Sequence, residues 1–273
     1  MTRADPRDPK ECEREHWNSF QRGFFLMGPP LRPDADVVAA YRELVRDRDD
    51  PMLLLGVTPE LADLSPNLTA IDRTQQMLDF VWPGDTPQRR ARLGNWLKLG
   101  MPSASFASVI CDGGLAFPYP GLQTKVLREA ANVLMRGGRL VGRVFTSPET
   151  GETLETVREA LGRGEIGSVH ALKWRIGMAI AHERGSPNVP VIEIRDTCER
   201  WFPDRAAFAS GTGWPRDEID TIDSYAGSNV VYGFASRSQL LANVPPEFTN
   251  PRFVEAGSYE LAERCPMFVL ERA

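Results

Sequence analysis

The stretch that most restricts how this chain can fold runs from Met52 to Asp72, MLLLGVTPELADLSPNLTAID. An unbroken apolar run, Met52 to Leu55, stops at Gly56. A helix-compatible Pro59-Glu60-Leu61-Ala62 follows, and a second apolar run from Leu68 to Ile71 ends on Asp72. Short apolar runs bounded by turn residues predict strands buried on both faces, as in a parallel sheet covered by helices. Open α/β sheets bind ligands in the crevice outside the carboxyl ends of their strands, so an acid closing the second strand is placed to accept from a ribose diol. The same residues also admit a plainer reading, in which Gly56 only turns the chain and Asp72 only caps a helix.

The alternation continues through the first half. A helix is expected from Asp34, its N-cap, with Val37, Val38, Tyr41, Leu44 and Val45 on one stripe. RTQQMLDFVW after Asp72 predicts a second helix, stopped by Pro83-Gly84. The basic stretch Pro87 to Arg92 leads into Gly94 to Leu99, read as a short extended piece. A strand is expected from Phe106 to Cys111, stopping on Asp112 before Gly113-Gly114. A helix from Gln123 to Met135 then closes on Gly137-Gly138, and Arg139 to Phe145 forms a fifth strand. Strand and helix in strict alternation are the sequence form of right-handed βαβ units.

Composition narrows the function classes. The 273 residues suffice for one large core, and no apolar run approaches the roughly 18 residues of a membrane span. A net charge of −5 argues against an extended phosphate-binding face and for a small-molecule partner, with no nucleic acid and no membrane. Cys12, Cys111, Cys198 and Cys265 form no CxxC pair, and His16, His170 and His182 lack metal-ligand spacing, so no metal site is expected. The charged N-terminus has no apolar signal segment, and a cytoplasmic location is expected.

Taken in order and spacing, five segments resemble the successive motifs of class I S-adenosylmethionine-dependent methyltransferases. They are the LLLGVTPEL turn, the LTAID strand, GNWLKL, SFASVICDGGLAFP and the VLMRGGRLVGRVF junction. An expected helix at Ser238 to Val244 and strands at Phe253 to Tyr259 and Pro266 to Arg272 are similar to the antiparallel pair that ends the family's sheet. The resemblance implies an α/β, Rossmann-like sheet, mostly parallel with an antiparallel C-terminal strand pair. It also implies S-adenosyl-L-methionine as cofactor and S-adenosyl-L-homocysteine as product. The cofactor contacts it implies are Gly56, Thr58, Glu60, Asp72, Arg73, Met77, Asn95, Trp96, Asp112 and Gly113. Asp72 would take the ribose, Asn95 the adenine amino group, and Met77 and Trp96 the adenine faces. One departure sits in the first motif, where Val57-Thr58-Pro59-Glu60 replaces a run of glycines and brings Cβ atoms close to the ligand path.

Around the expected core, 34–148 and 237–273, lie two further parts. Residues 1–33 carry Trp17, Phe20 and Phe24 at helical spacing and read as a helical segment that covers the core or acts as a lid. Residues 149–236 read as a largely helical insertion, with helices at Glu152 to Leu161, Val169 to His182 and Arg216 to Tyr225. It is expected to cap the substrate, or alternatively to pack on the domain edge or form a homodimer interface. Methyl transfer is an in-line displacement governed by positioning, with a general base where the acceptor carries a proton. Asp112, His16 and Tyr119 are the candidates for that base, while His170 is expected on a solvated helix flank. The function expected is methyl transfer to a small molecule; the alternative is a non-catalytic protein of the same fold acting as a regulatory or assembly partner. A nicotinamide oxidoreductase is disfavoured, because no G-x-G-x-x-G follows the first strand.

Overall fold

A computed structural model describes residues 9–47 and 49–273. Its centre is a seven-stranded sheet of β1 (Met52–Leu55), β2 (Leu68–Asp72), β3 (Arg89–Leu93), β4 (Phe106–Asp112), β5 (Leu134–Arg143), β8 (Phe248–Val254) and β9 (Met267–Arg272). The strand order is β3-β2-β1-β4-β5-β9-β8. The first five strands run parallel, and β9 returns antiparallel to both β5 and β8. Two parallel strands, β1 and β4, therefore sit at the centre, buried on both faces. Leu53 and Leu55 face a cluster with Val126, Leu127 and Ala130 of α4 (Gly121–Val133), while Met52 and Leu54 face one with Val37, Val38 and Tyr41 of α2 (Ala35–Leu44). The Asp34 side chain caps α2 by accepting from the Val37 amide at 2.8 Å.

Three boundaries differ from the sequence expectation. The third strand is the basic segment Arg89–Leu93, one step earlier than Gly94 to Leu99, which instead forms a turn closed by Lys98 N–H to Asn95 C=O at 2.9 Å. As an edge strand, β3 has one free side and shows no apolar signal. Helix α4 stops at Val133, because Leu134 is already extended and pairs with Phe106, so Gly137-Gly138 is a kink within β5 and not a helix stop. A register shift between Phe106 and Ser108 faces that kink. The last but one strand begins at Phe248, five residues before the expected Phe253. Thr249-Asn250-Pro251 forms an irregularity inside β8, with Asn250 at φ +51°.

The insertion comprises α5 (Leu154–Gly162), α6 (Val169–Arg184), β6 (Asn188–Pro190), α7 (Val191–Trp201), α8 (Arg205–Thr212), α9 (Arg216–Asp220), a 3-10 turn at Thr221–Tyr225 and β7 (Val231–Gly233). It has its own apolar core around Leu172, Ile176, Ile194 and Phe234, plus the two-stranded β6-β7 sheet that periodicity did not suggest. Helix α6 is buried almost all round, which is why His170, expected on a solvated flank, is 1% exposed. The helix α10 (Arg237–Ala242), opened by a capping box at Ser236 and Gln239, leads into β8. At the other terminus α1 (Pro9–Arg22) packs against both α3 (Gln75–Phe80), which follows β2, and the Thr221–Tyr225 turn of the insertion.

Candidate functional site

The carboxyl ends of β1, β2, β3 and β4 bring together the Gly56 turn, Asp72, the Gly94-Asn95-Trp96 turn and Asp112-Gly113. Gly56 has φ +100°, a conformation open to glycine and rarely to other residues, and its amide donates to Ile71 C=O at 2.9 Å. The same carbonyl accepts from Trp96 Nε1 at 2.8 Å, so the indole is pinned across the ends of β1 and β2. The Trp96 ring lies against Gly56 and Gly114; a Cβ on Gly114 would stand 2.8 Å from it, so that position has room only for hydrogen. Phe117 meets the ring edge-on at 5.6 Å. The result is a flat, half-buried aromatic wall beside a bare backbone.

Asp72 is 9% exposed at the end of β2. Its Oδ1 accepts from the Thr74 amide at 3.0 Å and the Thr74 hydroxyl at 2.9 Å; the N-cap of α3 is Thr74 and not Asp72, so the reading of Asp72 as a plain helix cap does not hold. Burial raises its pKa, with the Thr74 bonds and Arg73 acting in the opposite direction. Arg73 stacks its guanidinium over the Trp17 ring of α1 at 5.2 Å. On the β1 side, Thr58 opens the 3-10 turn Pro59–Leu61, and Glu60 is paired with Arg32. Arg32 in turn lies over the rings of Phe24 and Phe25 at 5.0 and 5.3 Å. Glu60 Oε2 is buried with no hydrogen-bond partner among the described residues, an acceptor left open beside the turn. Met77 is 6% exposed and belongs to the core beneath α3, and Asn95 is exposed with its Oδ1 accepting from the Leu97 amide at 2.9 Å.

The three candidate bases are not brought together. The Asp112 carboxylate is held bidentately by Arg143, Oδ1 to Nε at 2.7 Å and Oδ2 to Nη2 at 2.8 Å, with side-chain exposures of 3% and 0%. Tyr41 OH stands 2.9 Å from Cys111 C=O and 3.3 Å from Asp112 Oδ1, and Tyr259 OH accepts from Arg143 Nη1 at 2.9 Å. A carboxylate so fully engaged is a structural anchor and not a proton acceptor. Gly113 beside it donates to Arg143 C=O at 3.0 Å and packs on the Phe145 ring. Tyr119 is tied to α10, donating to Gln239 C=O at 2.5 Å and accepting from Asn243, while its backbone is clasped by Asn188 of β6. His16 is 2% exposed and packs on Trp17, Phe20 and Tyr225. Its Nδ1 is 3.0 Å from Ser224 C=O, which makes Nδ1 the protonated nitrogen and leaves Nε2 with a lone pair. Burial holds its pKa down at about 4, against the pull of the Ser224 bond and with help from Arg73.

The sequence reasoning missed Arg143, Trp174, Tyr225, Tyr232 and Lys173. Arg143 carried a signal, since a charge inside the apolar RLVGRVF run demands a buried partner. Lys173 carried one too, on the apolar helix α6. It is 1% exposed, donates to Thr221 Oγ1 at 2.9 Å, and burial lowers its pKa to about 8. Among the described residues no group of three or more His, Cys, Asp or Glu could hold a metal ion, and no helix is long and apolar enough to cross a membrane.

Five parallel strands in the order 3-2-1-4-5, closed by an antiparallel returning strand, define this as the Rossmann-like fold of class I methyltransferases. No family model matches the sequence, and no curated protein matches it. Solved structures do. An S-adenosylmethionine-dependent methyltransferase from Thermotoga maritima is 12% identical over 96% of this chain and 99% of its own, with a TM-score of 0.51. The 1,6-didemethyltoxoflavin-N1-methyltransferase of Burkholderia thailandensis, solved with that compound and S-adenosylhomocysteine, is 13% identical over 100% and 93%, with a TM-score of 0.50. A chain from Rhodobacter sphaeroides, named provisionally as a Zn-dependent alcohol dehydrogenase, is 11% identical over 96% and 98%, with a TM-score of 0.61. At these identities the likeness is one of fold.

Proposed function

We propose that this protein transfers a methyl group from S-adenosylmethionine to a small-molecule acceptor. The observation that carries the reading is Asp72, a carboxylate at the end of β2, next to the strand end where the Trp96 ring lies against Gly56. A carboxylate suits a ribose diol, and a flat ring suits a base. The residues beside the turn suit the remaining end of the cofactor, since Arg32 offers a cation to its carboxylate and Glu60 Oε2 an unpartnered acceptor to its ammonium. When bound, the cofactor supplies an electrophilic methyl on a sulfonium. The chain's task is to hold the acceptor in line and to exclude water, a task of positioning. Residues 9–22, which pack against both α3 and the Thr221–Tyr225 turn of the insertion, serve with the insertion as the cover of the crevice in this reading.

The test is calorimetric titration of the protein with S-adenosylhomocysteine. Binding is expected for the wild type, and Asp72→Asn, which keeps an oxygen for Thr74, is expected to weaken it about tenfold or more, the scale of a lost charge-assisted bond. Unchanged affinity in the variant would remove Asp72 from the site.

The replacement of a glycine run by Val57-Thr58-Pro59, with Val57 2% exposed, favours a second reading in which the fold serves as a non-catalytic partner. Absence of any binding or thermal stabilisation at millimolar S-adenosylmethionine would select it.

A further inference from the structure

An unbroken chain of ring contacts leaves the end of β2 and returns at the ends of β4 and β5. It starts at Arg73, whose guanidinium covers Trp17 at 5.2 Å, and passes from Trp17 to His16 at 5.0 Å and from His16 to Tyr225 at 6.0 Å. Tyr225 meets Tyr232 at 6.2 Å, Tyr232 meets Trp174 at 5.6 Å, and Trp174 meets Phe145 at 4.9 Å. Phe145 closes the path, with its ring against Gly113 and 5.5 Å from the Arg143 guanidinium. The rings come from α1, α6, the Thr221–Tyr225 turn, β7 and the end of β5, elements that share no local sequence.

Three polar atoms along this path are buried with no hydrogen-bond partner among the described residues: His16 Nε2 and Trp17 Nε1 on neighbouring rings, and Trp174 Nε1 three ring contacts further on. Buried polar groups are paired as a rule, and a donor and an acceptor left open on neighbouring rings, Trp17 and His16 at 5.0 Å, call for a missing partner. Their chemistry is specific. The two indole N–H groups only donate, and His16 Nε2 only accepts, because Nδ1 spends its proton on Ser224. The ligand that satisfies both kinds at once carries a hydroxyl, which accepts from an indole and donates to the imidazole. The walls are aromatic, with Arg73 beside Trp17 and Lys173 Nζ 5.7 Å from the Tyr225 ring, each cation facing a carboxylate, Asp72 and Glu218 respectively.

We infer that the acceptor site lies among these rings, and that it takes a planar aromatic compound bearing a hydroxyl, with His16 Nε2 receiving the hydroxyl's hydrogen bond. This rests on the methyl-transfer reading for its purpose but not for its geometry. In the structure described the rings are closed on one another. Helix α1, which contributes His16 and Trp17 and follows the chain's N-terminus, is the wall that must shift to admit the ligand.

The experiment titrates the full-length protein calorimetrically with 2-naphthol, decahydro-2-naphthol and 2-methoxynaphthalene, each with and without S-adenosylhomocysteine. 2-Naphthol is expected to bind about tenfold or more tighter than either of the others, the first lacking a flat ring and the second a hydroxyl proton. Trp17→Phe keeps a ring and removes the donor beside His16, and is expected to weaken 2-naphthol about fivefold or more. His16→Phe is expected to abolish the preference for 2-naphthol over its methyl ether. Equal affinities for the three probes, no binding of 2-naphthol at millimolar concentration, or unchanged affinity in both folded variants would overturn the inference. The wild-type comparison decides it even where a variant does not fold. S-adenosylhomocysteine affinity, read in the same titrations, separates the two proposals: naphthol binding without it would leave this site standing and remove the cofactor reading.

Discussion

At the scale of single residues, two aspartates at strand ends have opposite economies. Asp112 is spent on Arg143 in a pair that water does not reach. Its removal strands a buried guanidinium, and Asp112→Ala is expected to lose about 3–5 kcal/mol in urea unfolding, with Asp112→Asn losing less. A smaller loss than about 1 kcal/mol would show that Tyr259 and Leu31 C=O alone satisfy Arg143. Asp72 has a raised pKa because burial penalises its charge, so its ionised form is held at some cost to stability. Asp72→Asn is therefore expected to leave the melting temperature unchanged or slightly higher while ligand binding weakens, a split that scanning calorimetry beside the titration reads directly. Both residues were visible in the sequence as acids ending apolar runs. What distinguished them was not, because the partner of Asp112 lies 31 positions away on another strand.

At the scale of elements, the buried strands β1, β2 and β4 were legible, since an apolar run has one reading when both faces are covered. The edge strands β3 and β8 were not, since solvent on one side lets charge, proline and asparagine into the strand. The site divides the same way. Gly56, Asp72 and Trp96 lie in local motifs, whereas the rings of α1 and the insertion meet only through tertiary packing. The joint between the insertion and the sheet is close: a Cβ on Gly233 of β7 would stand 2.2 Å from the Phe117 carbonyl oxygen, in the loop after β4. Gly233→Ala is expected to cost about 1–3 kcal/mol by forcing backbone apart, measured by chemical denaturation. Faster hydrogen exchange at residues 116–119 and 231–233 would place the opening at this joint.

At the scale of the whole molecule, two buried histidines set a pH response. His16 and His170 ordinarily titrate near 6.5, and burial lowers them to about 4 and about 3, with Arg73 adding to the first and Lys173 to the second. Between those values and 6.5 the unfolded chain binds protons that the folded one refuses, so stability falls as the pH drops through this window. The loss expected from His16 alone is on the order of 3 kcal/mol by pH 4. Denaturation midpoints at pH 7.5 and 4 measure it, and His170→Gln is expected to flatten the slope; an unchanged slope would assign the response to other groups.

The two borders of the central sheet also carry a consequence for how copies of this protein meet. One border, β3, presents Arg89, Arg90 and Arg92 along five residues, and the other, β8, is broken by Pro251 and by Asn250 at φ +51°. A second copy laid alongside β3 would set like charges against each other, and one laid alongside β8 would find a missing amide hydrogen and a bent rung. The central sheet is therefore closed to edge-to-edge extension by composition at both borders.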